Sequence, residues 1–255
     1  MFQPKTERIK ELAVKYPQRI VELERIFEKP TNIYIDFANV IGWQNKLGWH
    51  VDLKRLKQLA GSFGTVREIK FYSGTLIGDK KSEDFVKEAR ECGYKLVTKP
   101  VKIMKISIDV SSISSESPEI LKQFIRAPLL QKLNIETIEH LNAKLKELNQ
   151  QGMIWLEDRK CNFDVEIGRD MLIDYAANQV DNFVLWSGDS DFADPIKQLL
   201  GAGKRVVLFA TARKVATELS ELGLSGLFIF DIQKVRDFIC WPKEIGHKMQ
   251  RGLNK

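Results

Sequence analysis

The chain has 255 residues, 44% of them hydrophobic, and a net charge of +6. That is enough apolar material to bury a core as one α/β domain with additions or as two small domains. No apolar run approaches the roughly 20 residues of a membrane span, and Met1-Phe-Gln-Pro-Lys-Thr-Glu lacks the apolar centre of a signal peptide. Three scattered cysteines, Cys92, Cys161 and Cys240, suit neither a disulfide framework nor a zinc site, so a reducing cytoplasm is the expected compartment.

Residues 6–29 read as two short helices broken at Pro17, with Ile9, Leu12, Ile20, Leu23 and Ile26 at helical spacing. From there strands and helices alternate. Ile33–Phe37 reads as a strand, Asp52–Ala60 as a helix ended by Gly61, Val66–Tyr72 as a strand, and Lys80–Glu91 as a helix closed by Gly93. Tyr94–Thr98 is a third strand, followed by a short extended piece at Pro100–Lys105. The pattern changes over 106–152, which opens Ser-rich and continues as helical segments at Pro118–Arg126 and Thr137–Gln150. This stretch reads as a helical insertion. Alternation resumes with a helix from Phe163 to about Gln179, a strand at Phe183–Trp186, a helix at Phe192–Leu200, and a strand at Arg205–Phe209. Lys214–Leu222 reads as a helix, Leu227–Phe230 as a strand and Gln233–Ile239 as a last helix. Such a series predicts a mostly parallel sheet with helices on both faces. The expected organisation is a helical extension over 1–30, an α/β domain over 31–240 interrupted at about 106–152, and a basic tail over 241–255.

Four aspartates stand where this pattern carries chemistry. Asp36 ends the first strand; Asp189 and Asp191 follow the apolar run Phe183–Trp186 in Ser187-Gly-Asp-Ser-Asp-Phe192; Asp164 opens a long helix. In open α/β sheets ligands gather beyond the carboxyl ends of the strands. Carboxylates brought together there repel one another unless a hard cation holds them. The set therefore points to Mg²⁺ or Mn²⁺ and to metal-assisted chemistry on phosphate. Each acid also has a plainer reading: Asp36 as a turn cap, Asn39 as a turn residue, Asp164 as a helix-dipole partner, one of Asp189 and Asp191 as a cap. Asp170, six residues beyond Asp164, falls on another side of the helix and suits a supporting hydrogen bond or exposure. Asp174 is expected to face solvent.

Other chemistries fail on residue type. There is no phosphate-binding Gly-rich loop, no Gly-x-Ser-x-Gly elbow, and the three histidines, His50, His140 and His247, are scattered. Setting aside the four acids raises the charge of the rest of the chain from +6 to +10. An acidic pocket in a basic surround suits a phosphate backbone. Lys46, Arg159, Lys160 and Arg213 lie near the expected rim, and Lys95, Lys99, Lys102 and Lys105 form an acid-free stretch. Each is also an ordinary surface charge, just as Trp43 and Trp49 suit either base stacking or packing.

The ordered motifs Tyr34-Ile-Asp-Phe-Ala-Asn-Val40, Phe163-Asp-Val-Glu-Ile-Gly-Arg-Asp-Met171, Leu185-Trp-Ser-Gly-Asp-Ser-Asp-Phe192 and Gly203-Lys-Arg-Val-Val-Leu208 resemble the NYN domains. These belong to the PIN-like nuclease group that includes the LabA-like bacterial proteins. The resemblance runs from about Asn32 to Phe238, leaving out 106–152. It implies a PIN-like fold and a metal-dependent, endonucleolytic ribonuclease using Mg²⁺ or Mn²⁺, with RNA as substrate and DNA left open. Asp36, Asp164 and Asp189 would bind metal, Asp191 would complete the pocket, and Asn39 would orient the substrate or a metal-bound water. The insertion departs from the minimal domain; it could cover the groove, contact RNA or form a homo-oligomer surface. The competing expectation is a catalytically weak RNA-binding or regulatory protein that acts through partners.

Overall fold

A computed structural model describes residues 2–107, 109–152, 155–211 and 215–244. Two compact units share the chain: residues 1–101 with 161–255, and residues 102–160.

The larger unit begins with α1 (Glu7–Lys15) and α2 (Pro17–Ile26). Thr6 accepts a hydrogen bond from the Ile9 amide at the start of α1, and Pro17 opens α2 where its missing N–H costs nothing. The strand β1 (Thr31–Asp36) leads directly into α3 (Phe37–Leu47), a helix the sequence pattern does not reveal. There follow α4 (Leu53–Ala60), β2 (Val66–Thr75), α5 (Lys80–Glu91) and β3 (Lys95–Pro100). Gly74 lies near the end of β2 because a Cβ there would sit 2.7 Å from Cys161 Sγ.

In the smaller unit β4 (Lys102–Ser107) pairs antiparallel with a later strand; between them run α6 (Leu121–Phe124), α7 (Ala127–Leu130) and α8 (Ile135–Gln150). The partner strand is β5 (Trp155–Lys160). The helical stretch expected over 106–152 falls inside this unit. The extended piece expected at Pro100–Lys105 overlaps β4, whereas β5 is new, since Trp155-Leu-Glu-Asp-Arg-Lys160 has no apolar alternation to announce a strand. Asn142, buried on α8, donates to the carbonyls of Ser115 and Ser117 at 2.6 and 2.9 Å and so ties the Ser-rich loop down.

Back in the larger unit come α9 (Asp164–Ala176), β6 (Asn182–Trp186), α10 (Ala193–Gly201), β7 (Arg205–Ala210), α11 (Thr217–Glu221), β8 (Phe228–Asp231) and α12 (Arg236–Ile239). Residues 212–214 and 245–255, which include Arg213 and most of the expected basic tail, lie outside the described residues.

The six strands of the larger unit form one parallel sheet in the order β3-β2-β1-β6-β7-β8. Strand order reverses between β1 and β6, so a crevice opens beyond their carboxyl ends. Side chains alternate across a strand, and β1 uses its two faces differently. Ile33 and Ile35 pack with Ile69 and Trp186 under Leu23 of α2 and Leu56 and Leu59 of α4. Asn32 and Tyr34 face α9 instead, where both donate to Asp174. By the same alternation Asp36 belongs to the α9 face.

That polar seam corrects the expectation that Asp174 faces solvent. Asp174 is 4% exposed, and one oxygen accepts from Asn32 Nδ2 at 2.8 Å, Tyr34 Oη at 2.5 Å and Lys70 Nζ at 2.7 Å. A helical-wheel argument treats a charged residue as outward-facing. The sheet beneath α9 overrides it by supplying a buried cation and two donors. Burial alone would raise the pKa of Asp174; its hydrogen bonds to Lys70, Tyr34 and Asn32 outweigh that and hold it below the usual value. One turn nearer the crevice, Asp170 accepts from Tyr72 Oη at 2.8 Å and pairs with Arg169.

Candidate metal centre

Asp36 is the last residue of β1 and the N-cap of α3: its Oδ1 accepts from the Asn39 amide at 3.4 Å. Its Oδ2 accepts from Ser187 Oγ at 3.2 Å, and Ser187 Oγ in turn accepts from the Asp189 amide at 3.3 Å. Asn39 Oδ1 accepts from the Gly188 amide at 3.3 Å. These contacts lock the end of β1 to the turn after β6 across the point where the sheet reverses. Asp189 also caps, since its Oδ1 accepts from the Asp191 amide at 3.4 Å in the 3-10 turn Ser190–Phe192.

Asp164 reaches the same place from the first position of α9. Asp164, Asp189 and Asp191 each offer a carboxylate oxygen, and these three atoms lie within 4.8 Å of one another. Asp36 does not join them at that spacing, but its charge acts on Asp164 and the charge of Asp189 acts on Asp36. The Asp164 Oδ2 is buried with no hydrogen-bond partner among the described residues. A buried carboxylate oxygen so placed either takes a proton or meets a cation. Burial pushes the Asp164 pKa up to about 6, opposed by the Asn162 hydrogen bond and aided by Asp191, Asp189 and Asp36. Burial also raises Asp36, against the hydrogen bonds from Asn39 and Ser187. Three carboxylate oxygens at one point, together with a buried Asp164 oxygen that has no hydrogen-bond partner among the described residues, match the hard-oxygen preference of a small divalent cation.

The structure thus gathers Asp164, Asp189 and Asp191, sets Asp36 beside them, and gives Asn39 a tie to Gly188. Asp36 and Asp189 cap as well as converge, so their plainer readings hold alongside the clustering. The sequence reading missed Ser187, which is 0% exposed and bridges two of the acids. A hydroxyl directly after the apolar run Phe183–Trp186 was the available signal. Of the basic residues, Lys95 pairs with Glu68 and Lys99 with Glu166, which takes two lysines out of any free positive surface. Arg159, Lys160, Lys102 and Lys105 belong to the smaller unit, and the Lys46 side chain lies outside the described residues. Trp43 and Trp49 are each 3% exposed and pack in the core, so neither stacks on a base.

A parallel α/β sheet with carboxylates at its switch point is the architecture of the PIN-like nuclease group. Residues 113–222 match the family model of the NYN domain. The matched segment includes Asp164, Asp189 and Asp191, whereas Asp36 and Asn39 precede it. No curated protein matches the chain. A crystal structure of a protein of unknown function from Vibrio parahaemolyticus is similar at 18% identity and a TM-score of 0.49, covering 83% of this chain and 96% of that one. Among the described residues no helix is long and apolar enough to cross a membrane.

Proposed function

We propose that this protein is a metal-dependent endoribonuclease whose active centre is formed by Asp164, Asp189 and Asp191 with Asp36 beside them. The observation that carries the reading is the orphaned, buried Asp164 Oδ2 within a three-carboxylate cluster at the sheet's switch point. Bound there, Mg²⁺ or Mn²⁺ supplies Lewis acidity toward a phosphodiester and lowers the pKa of water. The protein's part is to hold ligands in place before the ion arrives. Asp164 is aimed by α9, Asp189 and Asp191 by the turn after β6, and Asp36 by Ser187 and its cap on α3. Without a cation the cluster repels phosphate, so metal binding and substrate entry are coupled. Single-stranded or structured RNA is the proposed substrate. A crystal soaked in Mn²⁺ should show anomalous density touching Asp164, Asp189 and Asp191. Density elsewhere, with none at this cluster, contradicts the assignment.

A further inference from the structure

Beside Asp36, on the far side of the α3 N-terminus from Ser187, the chain builds a second concavity that the carboxylates do not use. This cleft has a volume of about 410 Å³, within the range of small-molecule sites. Its walls carry two aromatic pairs. Phe37, the residue after Asp36, is 6% exposed and backs the wall: it stacks on the partly exposed Phe85 of α5 at 4.7 Å between centroids, with the planes 25° apart. His50 stacks on Trp241 at 4.4 Å and 16°. Ile41, 45% exposed, adds apolar surface along α3. Lys81 lines the cleft from the first turn of α5, and Lys243 Nζ lies 4.5 Å from the Trp241 ring centroid. Glu88 is the one acid among the lining residues.

Planar rings with cations at the edge are what a nucleobase and its phosphate ask of a protein: stacking surface for the ring, positive charge for the backbone. Chain connectivity sets the location, because Asp36 and Phe37 are consecutive. We propose that this cleft is a nucleobase subsite, which receives a base of the strand whose phosphate enters the carboxylate centre. The proposal rests on the nuclease reading for the path of the strand, but not for the binding itself.

The test is fluorescence anisotropy on the full chain in EDTA at low ionic strength. The probes are a fluorescein-labelled short oligoadenylate and the same sugar-phosphate strand without bases. Repulsion from the metal-free carboxylates acts on both strands alike, so their difference reports the bases. The base-bearing strand should bind about 5- to 150-fold more tightly, the range expected for stacking of one base. Trp241→Ala should remove most of that preference and leave the abasic strand unchanged. Lys81→Ala should weaken both strands by the same factor. If circular dichroism shows Trp241→Ala unfolded, His50→Ala and Ile41→Glu take its place. Equal binding of the two strands, no binding of either, or full preference in the folded aromatic variants overturns the subsite. Cleavage of labelled RNA in Mn²⁺ is scored separately. Base preference without cleavage leaves the subsite standing and removes the nuclease reading; cleavage without preference does the reverse.

Discussion

At the scale of single residues, Asp164 is the most informative side chain. Its folded-state pKa of about 6 lies above the ordinary 3.8. A carboxyl with a raised folded pKa binds its proton more tightly in the native state than in the unfolded chain. Its cost to stability is therefore absent below about pH 4, grows between about pH 4 and 6, and is complete above that. Asp174 has the opposite sign: its depressed pKa stabilises at neutral pH, and that contribution is lost in acid. Comparing wild type with Asp164→Asn isolates the first effect. In EDTA the variant should melt higher at pH 7 and lose that advantage by about pH 4. An advantage that is flat across pH contradicts the shift. Asp189→Asn keeps an acceptor for the Asp191 amide while removing a charge. It should cost at least about 100-fold in cleavage, the order of losing one preorganised electrostatic partner, with the metal-free melting temperature equal or higher. A large fall in that temperature would make Asp189 chiefly a structural cap.

The carboxylate cluster depends, at the scale of elements, on how α9 is seated. The helix lies on a polar seam in which Lys70, Tyr34 and Asn32 meet Asp174, and Tyr72 meets Asp170. These contacts fix the rotation and height of α9, and so the place of Asp164 two to three turns away. Lys70→Met leaves a buried carboxylate without its cation, which should cost about 3–5 kcal/mol by denaturant unfolding. Adding Asp174→Asn to it should recover much of the loss. Additive losses in the double variant would show that the pair is not coupled. This seam also marks how far the elements could be read from sequence. The apolar residues Ile33, Tyr34 and Ile35 announce β1, the run Phe183–Trp186 announces β6, and the Gly188 turn announces two acids at the rim. The strand β1 also alternates Asn32, Tyr34 and Asp36 with Ile33 and Ile35, a two-faced pattern read only as a strand. The burial of Asp174 depends on Lys70, 104 residues away in the chain, and no local pattern encodes that pairing. The helix α3 escaped for a related reason: in Phe37 to Leu47 the polar Asn39, Gln44, Asn45 and Lys46 are spread among apolar residues, with Gly42 inside, so no clear amphipathic period stands out.

At the scale of the whole molecule, the sheet order could be anticipated only in outline. Alternating strands and helices imply parallel pairing, and the placement of acids in both halves of the chain implies a switch point. The sheet confirms that arrangement between β1 and β6. Charge was read less completely. The +10 outside the four acids is a net sum that already includes pairs such as Lys95 with Glu68 and Lys99 with Glu166, and it does not say where unpaired cations lie. Attraction for RNA then depends on where the remaining cations lie, not on their number. In the proposed function the carboxylates act on RNA through a divalent ion. The most direct measurement is a time course of end-labelled single-stranded RNA with the purified full chain in Mn²⁺, in EDTA, and with Asp36→Asn prepared identically. Internal cleavage is expected in Mn²⁺ alone, abolished by EDTA and reduced at least about 100-fold in the variant. Cleavage that persists in EDTA or in Asp36→Asn, or its absence in Mn²⁺ from a folded wild type, would contradict the proposed function.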